Sequence, residues 1–177
     1  MLKSKLNPNK YPYIKDLEEI KKYITYNSNV DLSLIDPIFL GRFAFMCKEL
    51  GIKGNINSGY RATQRQIQLY IAVGGKLIDG QWTGGKSTVA KPGRSWHEYH
   101  IALDTDTQQI KLIDKTESTV NQKILTKYGL FKPLTKGNGK TILEDWHIQP
   151  IETFNVDDKN SLKPTGDIKN YPCVRKG

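Results

Sequence analysis

Asp36-Pro37-Ile38-Phe39-Leu40-Gly41-Arg42-Phe43-Ala44-Phe45-Met46-Cys47-Lys48-Glu49-Leu50-Gly51 is a helix written out with both of its ends. Asp36 offers a side-chain oxygen to the amides that a first turn leaves unbonded. Pro37 brings the φ angle and the missing N–H that suit the first helical position, and Gly51 is the stop. Ile38, Phe39, Phe43, Met46 and Leu50 fall on one face, which must be covered by another layer. Beyond Gly51 the period changes. Residues 52–61 read as a strand that ends in a glycine turn at Ser58-Gly59-Tyr60-Arg61.

Upstream, Ile14, Leu17, Ile20 and Ile24 space an amphipathic helix over residues 11–26. Downstream, Thr63 with Gln66 three residues later reads as a capping box for a third helix that runs to about Val73. Residues 76–94 hold Gly80, Gly84, Gly85, Pro92 and Gly93, too many breakers for a regular element, and read as a long loop at a functional rim. A strand is expected over residues 101–110, a helix over 116–128 with Gly129 as its stop, and a hairpin over 130–143 turning at residues 136–140. A strand at Trp146-His147-Ile148 completes the set. The fold class is therefore α+β: N-terminal helices, then a small, mainly antiparallel sheet carrying the site, with helices packed on one side. Residues 1–155 form the expected catalytic domain, and residues 156–177, with Pro164, Gly166 and Pro172, a tail or linker.

The chain of 177 residues carries 27 Lys and Arg against 18 Asp and Glu, a net charge of +9, dispersed without a run of like charges. Such a surface attracts polyanions, whether nucleic acid, anionic lipid or the phosphate-rich polymers of a bacterial wall, but charge this dispersed reads first as an ordinary solvated surface. No apolar run reaches the roughly 18 residues of a spanning helix. The first eight residues have charge but no apolar stretch, so a chain made without a signal peptide is expected. Cys47 lies in the apolar helix and reads as a buried free thiol, and neither it nor Cys173 has metal-ligand spacing.

All three histidines sit beside acids. Two of them, His97 and His100, belong to Ser95-Trp96-His97-Glu98-Tyr99-His100-Ile101-Ala102-Leu103-Asp104, and His147 ends Glu144-Asp145-Trp146-His147. Two imidazoles and one carboxylate are the donors of a catalytic zinc site, which keeps its fourth position open. Glu144 is the natural general base. Residues three apart on a regular strand point to opposite faces, so its convergence with His147 requires a bulge or bend near Asp145.

These segments resemble one family. Ser95-x-His97-x-x-His100-x-Ala102-x-Asp104 is similar to the S-x-H-x-x-G-x-A-x-D motif of the zinc D-Ala-D-Ala carboxypeptidases and L-Ala-D-Glu endopeptidases. Glu144-x-Trp146-His147 is similar to its E-x-W-H, and Ser58-Gly59-Tyr60-Arg61 to its S-G-Y-R, with Gln66 at the place of a frequent glutamine. The resemblance implies a single Zn2+ on His97, Asp104 and His147, proton transfer by Glu144, and oxyanion stabilisation by Arg61. It further implies substrate contacts or site orientation from Gln66, Ser95 and Trp146, and His100, outside the pattern, is read as a residue of the substrate groove. One position departs from the pattern: His100 stands where the family has glycine. This opens a rival ligand set of His97, His100 and His147, with Asp104 behind them.

The implied activity is hydrolysis of a peptidoglycan stem peptide. An L-Ala-D-Glu endopeptidase of the phage endolysin type, released through a holin or carried in a larger wall hydrolase, is the leading expectation. A D-Ala-D-Ala carboxypeptidase is the alternative. A metal-containing but inactive wall-binding module is the reading of another class, against which the intact Glu144 and Arg61 count. A nucleic-acid-binding domain with structural zinc would call for a closed site, usually of cysteines. The expected state is a monomer with no membrane insertion and no nucleic-acid partner.

Overall fold

The computed structural model describes residues 2–154 and 174–175. Its centre is a five-stranded sheet in the order β2-β3-β6-β8-β7. The strands are β2 (Ile24–Tyr26), β3 (Gly54–Ser58), β6 (Leu103–Thr105), β7 (Leu130–Phe131) and β8 (His147–Pro150). Only β2 and β3 run parallel; the other three pairings are antiparallel, as expected for this class. Outside this sheet, β1 (Leu2–Lys3) pairs with β9 (Val174–Arg175), and β4 (Lys76–Ile78) with β5 (Gln81–Thr83). The helices are α1 (Leu17–Lys21), α2 (Pro37–Glu49), α3 (Thr63–Ala72), α4 (Gln108–Leu112) and α5 (Lys123–Lys127). The class is α+β.

Helix α2 forms as its sequence dictates. Asp36 accepts from the amides of Ile38 and Phe39, both at 2.9 Å, and Gly51 leaves the helix at φ 61°. Ile38, Phe39, Phe43 and Met46 are buried against Ile56, Ile101, Leu103 and Ile148 in one continuous core, whereas Leu50 stays 37% exposed. Gly41 allows the chain at Ile14 to cross the helix closely, since a Cβ there would lie 2.3 Å from the Ile14 carbonyl oxygen.

Several expectations required correction. The helix expected over residues 11–26 lasts only from Leu17 to Lys21, because Ile24–Tyr26 is drawn into parallel pairing with Gly54–Ile56. Thr63 does not cap α3; Ala62 occupies that position, and Gln66 faces elsewhere. The long loop contains the β4–β5 hairpin, whose turn at Asp79-Gly80 has φ of 48° and 74°. An Asp-Gly pair is the residue choice for this turn, so the signal was present. Residues 116–128 form a 3-10 turn followed by the short α5, leaving Val120 78% exposed. The expected hairpin over 130–143 is replaced by a longer connection, and β7 pairs with β8. Cys47 is a buried free thiol, its pKa pushed up to about 12 by burial. The expected tail at 156–177, including Cys173, lies largely outside the described residues.

Two buried cations tie the sheet to its surroundings. Lys132 donates to the carbonyls of Ile110, Lys111 and Ile113 at the end of α4, while burial draws its pKa down to about 8. Arg42 of α2 forms a two-pronged ion pair with Glu152, at 2.9 and 3.0 Å, just after β8. Its guanidinium also donates to Asn7 and Gly129 and lies 4.8 Å from the ring of Tyr11. Removing one member of a buried pair strands the other charge in a poorly solvated place. Arg42→Met is therefore expected to lower the unfolding free energy by about 3–5 kcal/mol, measured by denaturant titration.

Candidate active site

The site is assembled by a pairing register. Asp104 on β6 stands directly opposite His147 on β8, so both side chains rise from the same face of the sheet. Leu103 and Ile148, on the other face, enter the core. His97 arrives from a short 3-10 turn, Trp96–Tyr99, that precedes β6. Between turn and strand, His100 adopts the left-handed conformation at φ 68° and swings the chain into β6. Glycine reaches that conformation without steric penalty, which accounts physically for the family's glycine. Here the imidazole is held in place instead: Nδ1 lies 2.7 Å from the Leu34 carbonyl oxygen, and the ring stacks on Tyr60 at 4.2 Å.

His97, Asp104 and His147 each place a ligand atom within 4.8 Å of the other two. Asp104 Oδ1 is 2.9 Å from His147 Nδ1, and Oδ2 is 3.3 Å from His97 Nε2. His97 Nδ1 lies 2.6 Å from the Gly59 carbonyl oxygen and so donates to it, leaving the lone pair on Nε2. Burial holds His97 below its ordinary pKa, in the neutral form that binds metal. Burial pushes the Asp104 carboxyl upward, but the adjacent imidazoles of His147 and then His97 outweigh it and bring the group well below the usual carboxylate range. Two imidazole nitrogens and one carboxylate, converging on one point with their remaining ring atoms engaged, fit a divalent cation of zinc's ligand preference. His100 is not part of this cluster, so the rival set of three histidines does not form.

Glu144 reaches the cluster through a turn rather than a bulge. The amide of His147 bonds to the Glu144 carbonyl at 3.2 Å, folding Asp145 and Trp146 outward and starting β8 at His147. Glu144 Oε2 then lies 3.9 Å from His147 Nδ1. Burial raises the pKa of Glu144, aided by the charge of Asp104 and opposed by His147 and Arg61.

Arg61 is anchored by its backbone amide to the His97 carbonyl at 3.1 Å, and its guanidinium donates to Gln66 Oε1 at 3.0 Å. Gln66 is fully buried, and its amide nitrogen donates to the Ala90 carbonyl at 2.6 Å. Glu98 is also fully buried; it accepts from the amides of Gly93 and Ser95, each at 3.1 Å. A cleft of about 910 Å³ contains Arg61, Gln66, Ser95, Trp96, Trp146, Glu144 and the three clustered residues in its lining; His100 is not among them.

The D-alanyl-D-alanine carboxypeptidase family model, VanY, matches residues 39–151. The chain belongs to this family. The match covers α2 from residue 39 onward, the 3-10 turn, β6 and β8, and therefore every residue of the cluster. A similar solved structure is a zinc-bound mutant of the VanY D,D-pentapeptidase from a VanB-type vancomycin-resistance cassette. It is 20% identical over 74% of this chain and 81% of that one, with a TM-score of 0.41. No curated protein matches significantly.

The His100 geometry gives a stability test in this VanY-family chain. His100→Ala loses the Leu34 contact and the Tyr60 stacking, a loss of about 2 kcal/mol. His100→Gly loses the same contacts but relieves the left-handed backbone, so it is expected to be more stable than His100→Ala by about 1 kcal/mol. Urea titration of both variants measures the difference.

Proposed function

We propose that this protein is a zinc peptidase of the bacterial cell wall that hydrolyses an amide in the peptidoglycan stem peptide. The observation that carries the reading is the convergence of His97, Asp104 and His147, with Glu144 beside them, on the floor of one cleft. Zinc bound by the three residues would supply Lewis acidity to the attacking water and the scissile carbonyl. Glu144 takes the proton from that water and delivers it to the departing amine. Its raised pKa brings it closer to the working range of a general base. Arg61 faces the oxygen on which negative charge develops, as a permanently charged planar donor. Gln66 holds Arg61 and the residue 90 backbone in one unit, and Ser95 places the turn that carries His97. Trp146, 38% exposed beside His147, flanks the substrate.

The bond is assigned as the internal L-Ala–D-Glu amide. The cleft is lined by residues 87–90 and Arg94 from one connection and by Leu134 and residues 140–142 from another. Its volume is at the upper end for small-molecule sites, enough for stem residues on both sides of the cut. The net charge of +9 suits approach to an anionic wall. Removal of a terminal D-Ala is the second reading, favoured by the match to the D-alanyl-D-alanine carboxypeptidase family. No helix among the described residues is long and apolar enough to cross a membrane.

Mass spectrometry of purified peptidoglycan digested with and without a chelator tests the assignment. Chelator-sensitive appearance of N-terminal D-Glu is the expected outcome; loss of D-Ala alone establishes the carboxypeptidase, and no cleavage by metal-loaded protein removes the enzyme reading. Glu144→Ala should retain its metal and lose at least 100-fold in turnover, of the order seen for removed acid–base groups. His147→Ala should lose metal and activity together. Arg61→Ala should reduce kcat by about 100-fold with little change in KM, and an unchanged kcat would remove it from the oxyanion role.

A further inference from the structure

Gln149 and Thr153 take no part in the reading above, yet each is only 4% exposed beside His147. Gln149 lies two residues beyond His147 on β8, so both side chains share one face of the strand. The Gln149 amide nitrogen is 3.0 Å from His147 Nε2, and its oxygen is 3.0 Å from Thr153 Oγ1. Thr153 Oγ1 is also 2.9 Å from the Pro150 carbonyl oxygen.

This arrangement asks too much of one hydroxyl. Thr153 has a single proton, and two acceptors compete for it. Whichever oxygen receives it, the other faces Thr153 Oγ1 across 2.9–3.0 Å with no proton between them. A half-turn of the Gln149 amide exchanges its nitrogen and oxygen in place and removes the conflict. The Thr153 hydroxyl then donates to Pro150, the Gln149 nitrogen donates to the Thr153 oxygen, and the Gln149 oxygen faces His147 Nε2. That ring nitrogen must carry a proton to complete the chain. Its partner Nδ1, the atom 2.9 Å from Asp104 Oδ1, is left with a lone pair, so no hydrogen bond joins these two atoms and both stand as donors to one cation.

We propose that Gln149 and Thr153 are positioning residues that set the tautomer of His147, the Gln149 oxygen accepting from Nε2–H so that Nδ1 is presented to the metal. The inference rests on the zinc site proposed above. His97 is set in the opposite sense, because the Gly59 carbonyl engages its Nδ1 and leaves Nε2 as the donor atom. The two imidazoles therefore bind through different nitrogens, each selected by a hydrogen bond on its far side. Thr153 is itself seated by the fold, since its neighbour Glu152 is clamped by Arg42.

The test uses the full chain and zinc alone. It measures the zinc dissociation constant by competition with a chromophoric chelator, the melting temperature of the zinc-free protein, and the two-bond 1H–15N spectrum of the histidine rings with zinc bound. Gln149→Met should raise the dissociation constant by about 10–100-fold. Gln149→Glu, an acceptor with no amide donor, should bind zinc at least as tightly as wild type. Thr153→Val should loosen zinc less, and add nothing to Gln149→Met in the double variant, because it acts through Gln149. The spectrum should show His147 protonated at Nε2 and His97 at Nδ1. Gln149→Glu binding as weakly as Gln149→Met at an unchanged melting temperature overturns the inference. A wild-type His147 protonated at Nδ1 overturns it as well, and that spectrum decides the matter even if a variant fails to fold. A wild-type chain that binds no zinc defeats the functional reading and this inference together; intact wild-type binding with indifferent variants defeats this inference alone.

Discussion

The cross-strand pair of Asp104 and His147 is the constraint on which the rest of the structure depends. A carboxylate and two imidazoles are gathered in a place with little access to water, where an unpaired charge is costly. Each oxygen of Asp104 faces one imidazole, so the three side chains stand as donors around one point where a cation would balance the charge. A shift of one residue between β6 and β8 would carry Asp104 or His147 to the core face and destroy both the cluster and the apolar layer beneath it. The hydrophobic pattern of Leu103 and Ile148 therefore guards the register of the chemistry.

Around that pair, each functional side chain is held by something that does not itself react. Gly59 orients His97 through a carbonyl, Gln66 orients Arg61, and Glu98 pins the loop that leads into Ser95. Most of these supports are buried and satisfied by backbone groups, which makes the site rigid before any substrate arrives. The exposed parts of the cleft lining, including Trp146, come from connections rather than strands.

His100 illustrates how a local departure is absorbed. The turn needs a residue of positive φ between His97 and β6, and glycine would provide it at the least steric cost. This chain places an imidazole there, turned away from the cluster, and recovers part of the strain through Leu34 and Tyr60. His97, Asp104 and His147 converge without it. A third histidine near two others is thus a structural element here and not a third nitrogen donor.

Much of this was legible in the chain alone where the signal is local. The α2 helix follows from Asp36, Pro37 and Gly51, because caps act within one turn; the ligand candidates follow from residue types and spacing, because metal chemistry admits few donors. The parallel pairing of Ile24–Tyr26 was not legible, since periodicity could not separate it from the helix before it, and a partner 30 residues away decided the matter. The burial of Glu98 was equally hidden, because an acid becomes an interior group only once Gly93 and Ser95 fold over it. Gln149 lay two residues from His147, and its place on the same face could be read from strand period, but its role could not. That role depends on the oxygens of Gln149 and Pro150 competing for the one Thr153 proton, a relation set by distances in space. The sequence by itself determined which atoms were available to a metal; the tertiary structure alone decided which nitrogen of each imidazole faces it, because hydrogen bonds on the far side of each ring make that choice.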